Sequence, residues 1–295
     1  VVSGPGTVTP PGTFTIGVLP TLDTTNNNSS PFTVLISAGA LVNDVIQFKV
    51  TITDGAFTGS QYFSVVVNED IVNITINDVF TTITSKGRIG YNMDSQVQGL
   101  GFEYQLPAPQ NLLYEMSLMI GTSSTQVSDM LRGGAAGDTD FGSLLRAYEV
   151  TPVVVSDFDV NGKFNDAPSA SGAIPVEVHH NAYAWVTAPY RKFVIVKYVI
   201  KNTGASALNN LYAGLLADWD VPAFANNKAA YDAINKMGYV WSTDAGGRYA
   251  AFKLLTSAGA THYVIDNVAG GDGDGGGPGI GGIDPTAGTP AFDTQ

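Results

Sequence analysis

The chain has 295 residues, of which 44% are hydrophobic and only 14% charged, so it can fill one large core or two ordinary ones. Its net charge of −12 excludes the basic footprint that nucleic acid or an anionic membrane surface requires. The absence of cysteine excludes disulfides, thiolate catalysis and Cys-ligated metals.

In chain order, residues 1–12 are rich in Gly and Pro and read as an extended linker. Val1-Val-Ser-Gly-Pro-Gly-Thr7 has the look of a cut inside a connector, which implies a longer parent. Residues 13–70 then carry short strands at regular spacing. Thr13–Leu19, Pro31–Ile36, Asp44–Thr53 and Gln61–Val67 are predicted, with a turn at Asp54-Gly55. Ile46, Phe48, Val50 and Ile52 form the buried face of the third. This spacing predicts an immunoglobulin-like β-sandwich.

Asn68-Glu-Asp70 marks a boundary, and residues 71–268 read as a second, larger antiparallel β-sandwich. Strands are expected at Ile71–Ile76, Phe80–Thr84, Gly87–Tyr91, Gly99–Tyr104, Leu112–Ile120, Arg146–Val155 and Pro175–His180. Phe193–Lys201 and Leu208–Val221 are predicted to pair as a hairpin around the turn cluster 202–207. Asn226–Lys236 has helical composition and is the one short helix expected. Gly238–Ser242, Tyr249–Leu255 and Thr261–Asp266 resume strands. The segment 269–295 is a Gly/Pro-rich loop or tail, too poor in apolar residues to pack a core. Its single Gly270-Gly-Asp-Gly-Asp274 run lacks the repetition of a calcium-binding nonapeptide array. The fold class is thus all-β.

Five groups of residues could carry chemistry. Asp157, Asp159 and Asn161, followed by Gly162, match the start of a calcium loop, with Asn165 or Asp166 as further oxygen ligands. The twelfth position is Pro168, where a helix–loop–helix calcium site has Glu, so an Asx-rich turn competes with this reading. Asp218 and Asp220 place two carboxylates on one strand face, a polar or cation site. Trp185 and Trp241 are candidate glycan contacts, weighed against ordinary packing. Asp23-Thr24-Thr25 resembles an O-glycosylation acceptor, with Thr24 as the modified residue. His179 and His180 are adjacent on a strand and must face opposite ways.

Several strings carry a family resemblance: Ile83-Thr-Ser-Lys-Gly-Arg-Ile-Gly-Tyr91, Gly99-Leu-Gly-Phe-Glu-Tyr104, Leu112–Thr122, Gln126–Arg132 and Asn210–Asp220. They resemble the non-catalytic region downstream of the peptidase domain in secreted subtilisin-like serine peptidases of Bacteroidetes, proteins associated with type IX secretion. The resemblance covers roughly residues 40–268. It implies an extracellular or cell-surface location, without membrane insertion, beside other domains of a longer chain or neighbouring subunits. It implies no catalysis by this chain: Gly121-Thr-Ser-Ser-Thr125 lacks the Met-Ala continuation of the family's nucleophile, and no histidine stands in its motif. Two alternatives stay open. One is a structural or adhesive surface protein, such as a filament subunit joined by strand addition; the other is a carbohydrate-binding module.

Overall fold

The computed structural model describes residues 1–10, 12–92, 96–133, 136–137, 139–169, 172–222, 227–244, 246–256, 259 and 261–262. The chain is all-β, built from several antiparallel sheets, and it divides into two units after Asp70. The Gly-rich segment 269–295 and most of the strand expected at Thr261–Asp266 lie outside the described residues.

The first unit is made of two ribbons. β1 (Gly6–Val8) pairs with β2 (Val34–Ile36), and β3 (Asp44–Asp54) pairs along its whole length with β4 (Phe57–Val67). The Gly6–Val8 pairing corrects the linker expected at 1–12. Gly4 (φ +96°) passes so close to the third strand that a Cβ would lie 2.2 Å from the Val45 carbonyl oxygen. Thr13–Leu19 forms no strand, because Gly17 adopts a left-handed φ of +76° in the middle of the run. The expected inner face of β3 is covered only at its start. Ile46 is buried, and Val67 beside it on β4, whereas Val50 and Ile52 stand open to solvent.

The second unit begins with β5 (Ile71–Ile74), β6 (Val79–Thr84), β7 (Phe102–Tyr104) and β8 (Gln110–Asn111), one four-stranded sheet in that order. Gly87–Tyr91 makes isolated bridges and no strand. β9 (Leu113–Ser123) is central to the next sheet, with β10 (Gln126–Ser128) on one side. A small ribbon follows, β11 (Arg132–Gly133) with β12 (Ala136–Gly137). β13 (Gly142–Glu149), β14 (Phe158–Asn165), β15 (Val176–Ala184) and β16 (Val194–Asn202) form a four-stranded meander, with a 3-10 turn at Tyr190–Lys192 before the last. β17 (Tyr212–Trp219) returns to the other side of β9. β18 (Asn227–Asp232), β19 (Met237–Ser242) and β20 (Tyr249–Lys253) close the described fold as a three-stranded sheet.

Two expectations are corrected here. Phe193–Lys201 and Leu208–Val221 do form strands, but they are not a hairpin: β16 pairs with β15 and β17 with β9. The connection at residues 203–211 is long enough to move the chain from one sheet to another instead of turning it back on its neighbour. Of the helix expected at 226–236, the described residues 227–236 are β18 and a turn. Its alanines align in register with β19, Ala229 with Val240 and Ala230 with Tyr239, so sheet pairing overrides helical propensity.

Two apolar clusters form the core. One gathers Ile74, Ile83, Leu113, Met116, Val160 and Trp219; the other gathers Leu118, Ile120, Phe141, Phe164, Ile174 and Val178. β9, β14 and β15 contribute to both, so both clusters are anchored on the same three strands. Because β9 is buried on both faces, its sequence reads as a nearly unbroken apolar run, and its Glu115 is neutralised by Arg88 at 3.3 Å. Each fully buried Phe or Ile of this core contributes about 1.5–3 kcal/mol relative to exposure.

Candidate functional site

The residues with chemical potential are dispersed, and most hold the fold. Of the proposed calcium ligands, Asp159, Asn161 and Asn165 lie on β14 and Asp157 and Asp166 just beyond its ends, an extended run and not a curled loop, which corrects that reading. Asp159 and Asn165 are six positions apart on β14, roughly 20 Å at strand rise, too far to share an ion. The Asp159 carboxylate accepts hydrogen bonds from the amides of Val154, Val155 and Ser156 and from Ser156 Oγ, at 2.5 to 2.9 Å. Burial pushes its pKa up, but these bonds outweigh burial and hold it below the usual carboxylate range. Asp157 accepts from the Val186 amide at 3.0 Å, and Asn165 from the Ala167 amide. Asp166, whose pKa burial raises against its hydrogen bonds, accepts from the Ile174 amide and Ser128 Oγ. These side chains pin loops in place. Among the described residues no group of three or more His, Asp or Glu is arranged to hold a metal ion.

Gly162 has a different role from the loop glycine of a calcium site. A Cβ there would lie 2.1 Å from His180 Nε2, so the glycine makes room for that ring in the core. His180 is buried edge-on to Phe164, and its Nε2 has no hydrogen-bond partner among the described residues. Burial first, and the neighbouring His179 second, lower its pKa to about 4. His179 faces outward as alternation requires, and its Nε2 donates to Asn161 Oδ1 at 2.5 Å. Asn161 also donates to Tyr148 Oη at 2.8 Å, and Asn181 donates back to it at 3.3 Å. Lys163 and Glu177 pair beside them at 3.1 Å.

Asp218 aligns with Glu115 on β9, and the register shift that follows falls on the β9 side, where Tyr114 has no partner on β17. Asp220 lies beyond the strand end, its pKa raised by burial. Ser123 exchanges a hydrogen bond with Thr125 at 3.3 Å. It borders an open, mainly apolar hollow of about 370 Å³ with Met119, Val127 and Tyr212, and no histidine or carboxylate lines that hollow. Thr24 is exposed on an irregular segment, its amide bonded to Asp23 Oδ1 at 2.8 Å.

The two tryptophans proposed as glycan contacts sit in unlike settings. Trp185 packs with Tyr190 and Phe193 at interplanar angles of 55° and 61°, rings tipped against one another at a hairpin end. Trp241 sits in a cluster with Tyr239 and Tyr249. Its centroid is 5.5 Å from Tyr239 and 6.1 Å from Tyr249, with planes 31° and 16° apart. Alternation along β19 puts Tyr239 and Trp241 on one face, and pairing with β20 sets Tyr249 directly across from Trp241. The opposite face sends Val240, Ala250 and Phe252 into the core. The sequence reading missed Tyr239 and Tyr249. The signal was present in the alternating Met-Gly-Tyr-Val-Trp-Ser, and the next strand opening on Tyr.

Among the described residues no helix is long and apolar enough to cross a membrane. Compared with models of known protein families, with curated proteins and with solved structures, the chain matches none.

Proposed function

We propose that this chain is a non-catalytic accessory region of an exported bacterial subtilisin-like peptidase, acting extracellularly or at the cell surface as a spacer or presenting scaffold. The observation that carries this reading is the structural employment of its reactive side chains. Ser123 is held by Thr125, His179 by Asn161, His180 by the core around Phe164, and His262 is stacked on Tyr231 at 4.9 Å. A triad requires nucleophile, base and orienting carboxylate in mutual contact. The sequence strings quoted above supply the peptidase association. The intact mass of the protein isolated from its source, with both ends mapped, tests it. A parent several hundred residues longer that carries the triad segments is the expected result. A mature mass near 30.9 kDa removes the peptidase association.

A second reading, a structural or adhesive surface subunit, is favoured by the open apolar face of the β3–β4 ribbon, where Val50, Ile52, Phe63 and Val65 are exposed. Sedimentation that shows ordered self-association of the isolated chain supports it over the first.

A further inference from the structure

We infer that the outward face of β18–β20 is a carbohydrate-binding site that stacks a neutral hexopyranose on Tyr239, Trp241 and Tyr249. The site stands whether or not the chain is joined to a peptidase. The three rings form a closed patch, with centroid separations of 5.5, 6.1 and 6.5 Å and planes within 37° of each other. Register fixes why the patch stands clear of the sheet. Tyr239 is flanked by Ala230 on β18 and Ala251 on β20, whose small side chains leave the rings above them. Tyr249 is 67% exposed while its neighbour Ala250 is buried, so this face is turned to water and is not a covered layer of the core.

Three aromatic rings in mutual contact, with Tyr249 67% exposed, offer apolar ring surface to the axial C–H face of a sugar, whose edge is polar. The rim of the patch matches that edge. Lys228 is in register with Trp241 and places a donor beside the rings, while Lys253 and Asp232 lie farther along the same face, across from Met237 and tied to Asn235. One donor beside an uncharged aromatic centre suits a neutral ligand whose hydroxyls accept. The chain's net charge of −12 opposes a polyanion stacked on the same rings. A proline-rich peptide would require an aromatic-lined groove, whereas these rings stand on one face of an open three-stranded sheet. The rings of the Trp185 cluster are tipped more steeply, at interplanar angles of 55°, 61° and 75°.

The test is affinity electrophoresis of the full chain through gels containing hydroxyethyl cellulose, galactomannan or dextran, with alginate as an anionic polymer and a proline-rich decapeptide titrated by tryptophan fluorescence. Wild-type protein is expected to be retarded by at least one neutral polymer and not by alginate. Trp241→Ala should weaken retardation by about tenfold and Tyr249→Ala by about threefold, with Trp185→Ala unchanged. Tyr249 is exposed enough that its variant keeps the fold, which circular dichroism checks, so the test survives if Trp241→Ala does not fold. No retardation in any neutral gel, retention undiminished in Tyr249→Ala, loss in Trp185→Ala equal to that in Trp241→Ala, or binding of the peptide in place of the neutral polymers overturns the assignment.

Discussion

β3–β4 and β14–β15 are both long antiparallel pairs rich in β-branched and aromatic residues, and they end in opposite states. Along β15 every second residue is buried, and the paired core face of β14 carries Val160 and Phe164 at 1% and 0% exposure. Along β3 the same alternation leaves Val50 39% and Ile52 50% exposed, with only Ile46 shut away. The Phe48–Phe63 pair, stacked at 5.0 Å, is the main contact across that ribbon's apolar face beyond its covered base. Period-two alternation tells which residues share a face. It does not tell whether another layer covers that face, and a two-stranded ribbon without such a layer is marginal in water.

That contrast fixes where substitutions should be felt. Phe164→Ala removes a fully buried ring from the second core cluster and should cost about 4 kcal/mol, read as a large fall in the main urea unfolding midpoint. Asp159→Asn keeps the shape but weakens the charge-assisted bonds to three amides and Ser156. The expected loss is about 2–3 kcal/mol, with faster proteolysis at residues 150–157.

His180 makes the interior pH-sensitive. Its folded pKa of about 4 lies below its ordinary 6.5, so the unfolded chain binds its proton first. Its contribution to stability is intact above pH 6.5, falls between 6.5 and 4, and levels off below. The accumulated loss is about 3 kcal/mol. Asp166, raised by burial, works in the opposite direction over the lower part of that range, so the clean readout is NMR titration of the His180 ring. Its resonance should hold its neutral shift at pH 5.5; a midpoint near 6.5 would mean that the ring is not buried as described. The smallest effect belongs to the ribbon. Ile52→Ala should change the unfolding midpoint by no more than about 0.5 kcal/mol, because the side chain already stands in solvent.

Strand content was legible where the pattern was strong. Leu112–Ile120 ends as β9 despite a helix-compatible composition, and Gly238–Ser242 and Phe193–Lys201 are strands as read. Partners were less legible. β16 and β17 looked like a hairpin because they are neighbours in sequence, yet pairing across sheets is a tertiary choice that alternation does not encode. Asn227–Asp232 shows the same limit, since alanine favours a helix until a neighbouring strand offers ladder bonds. At the site level, Asp157-Phe-Asp-Val-Asn-Gly162 mimics a calcium loop because hard oxygens at alternate positions are also what a strand displays along one face. In a calcium loop the glycine permits a sharp turn, whereas Gly162 vacates space for His180 on the next strand, a reason that only the cross-strand register reveals. Trp241 was picked out by residue type; its companions Tyr239 and Tyr249 needed the pairing of β19 with β20.

The most direct measurement of this contrast is native-state hydrogen exchange on the intact chain, comparing the amides of β3–β4 with those of β14–β15. Exchange from β14–β15 should require global opening of the second unit, with protection reaching the full unfolding free energy, while amides in the outer half of β3–β4, beyond Ile46, exchange orders of magnitude faster by local fraying. Equal protection in the two pairs would contradict the account, since it would mean that the ribbon's apolar face is covered and that its strands share a core as complete as the one around Phe164.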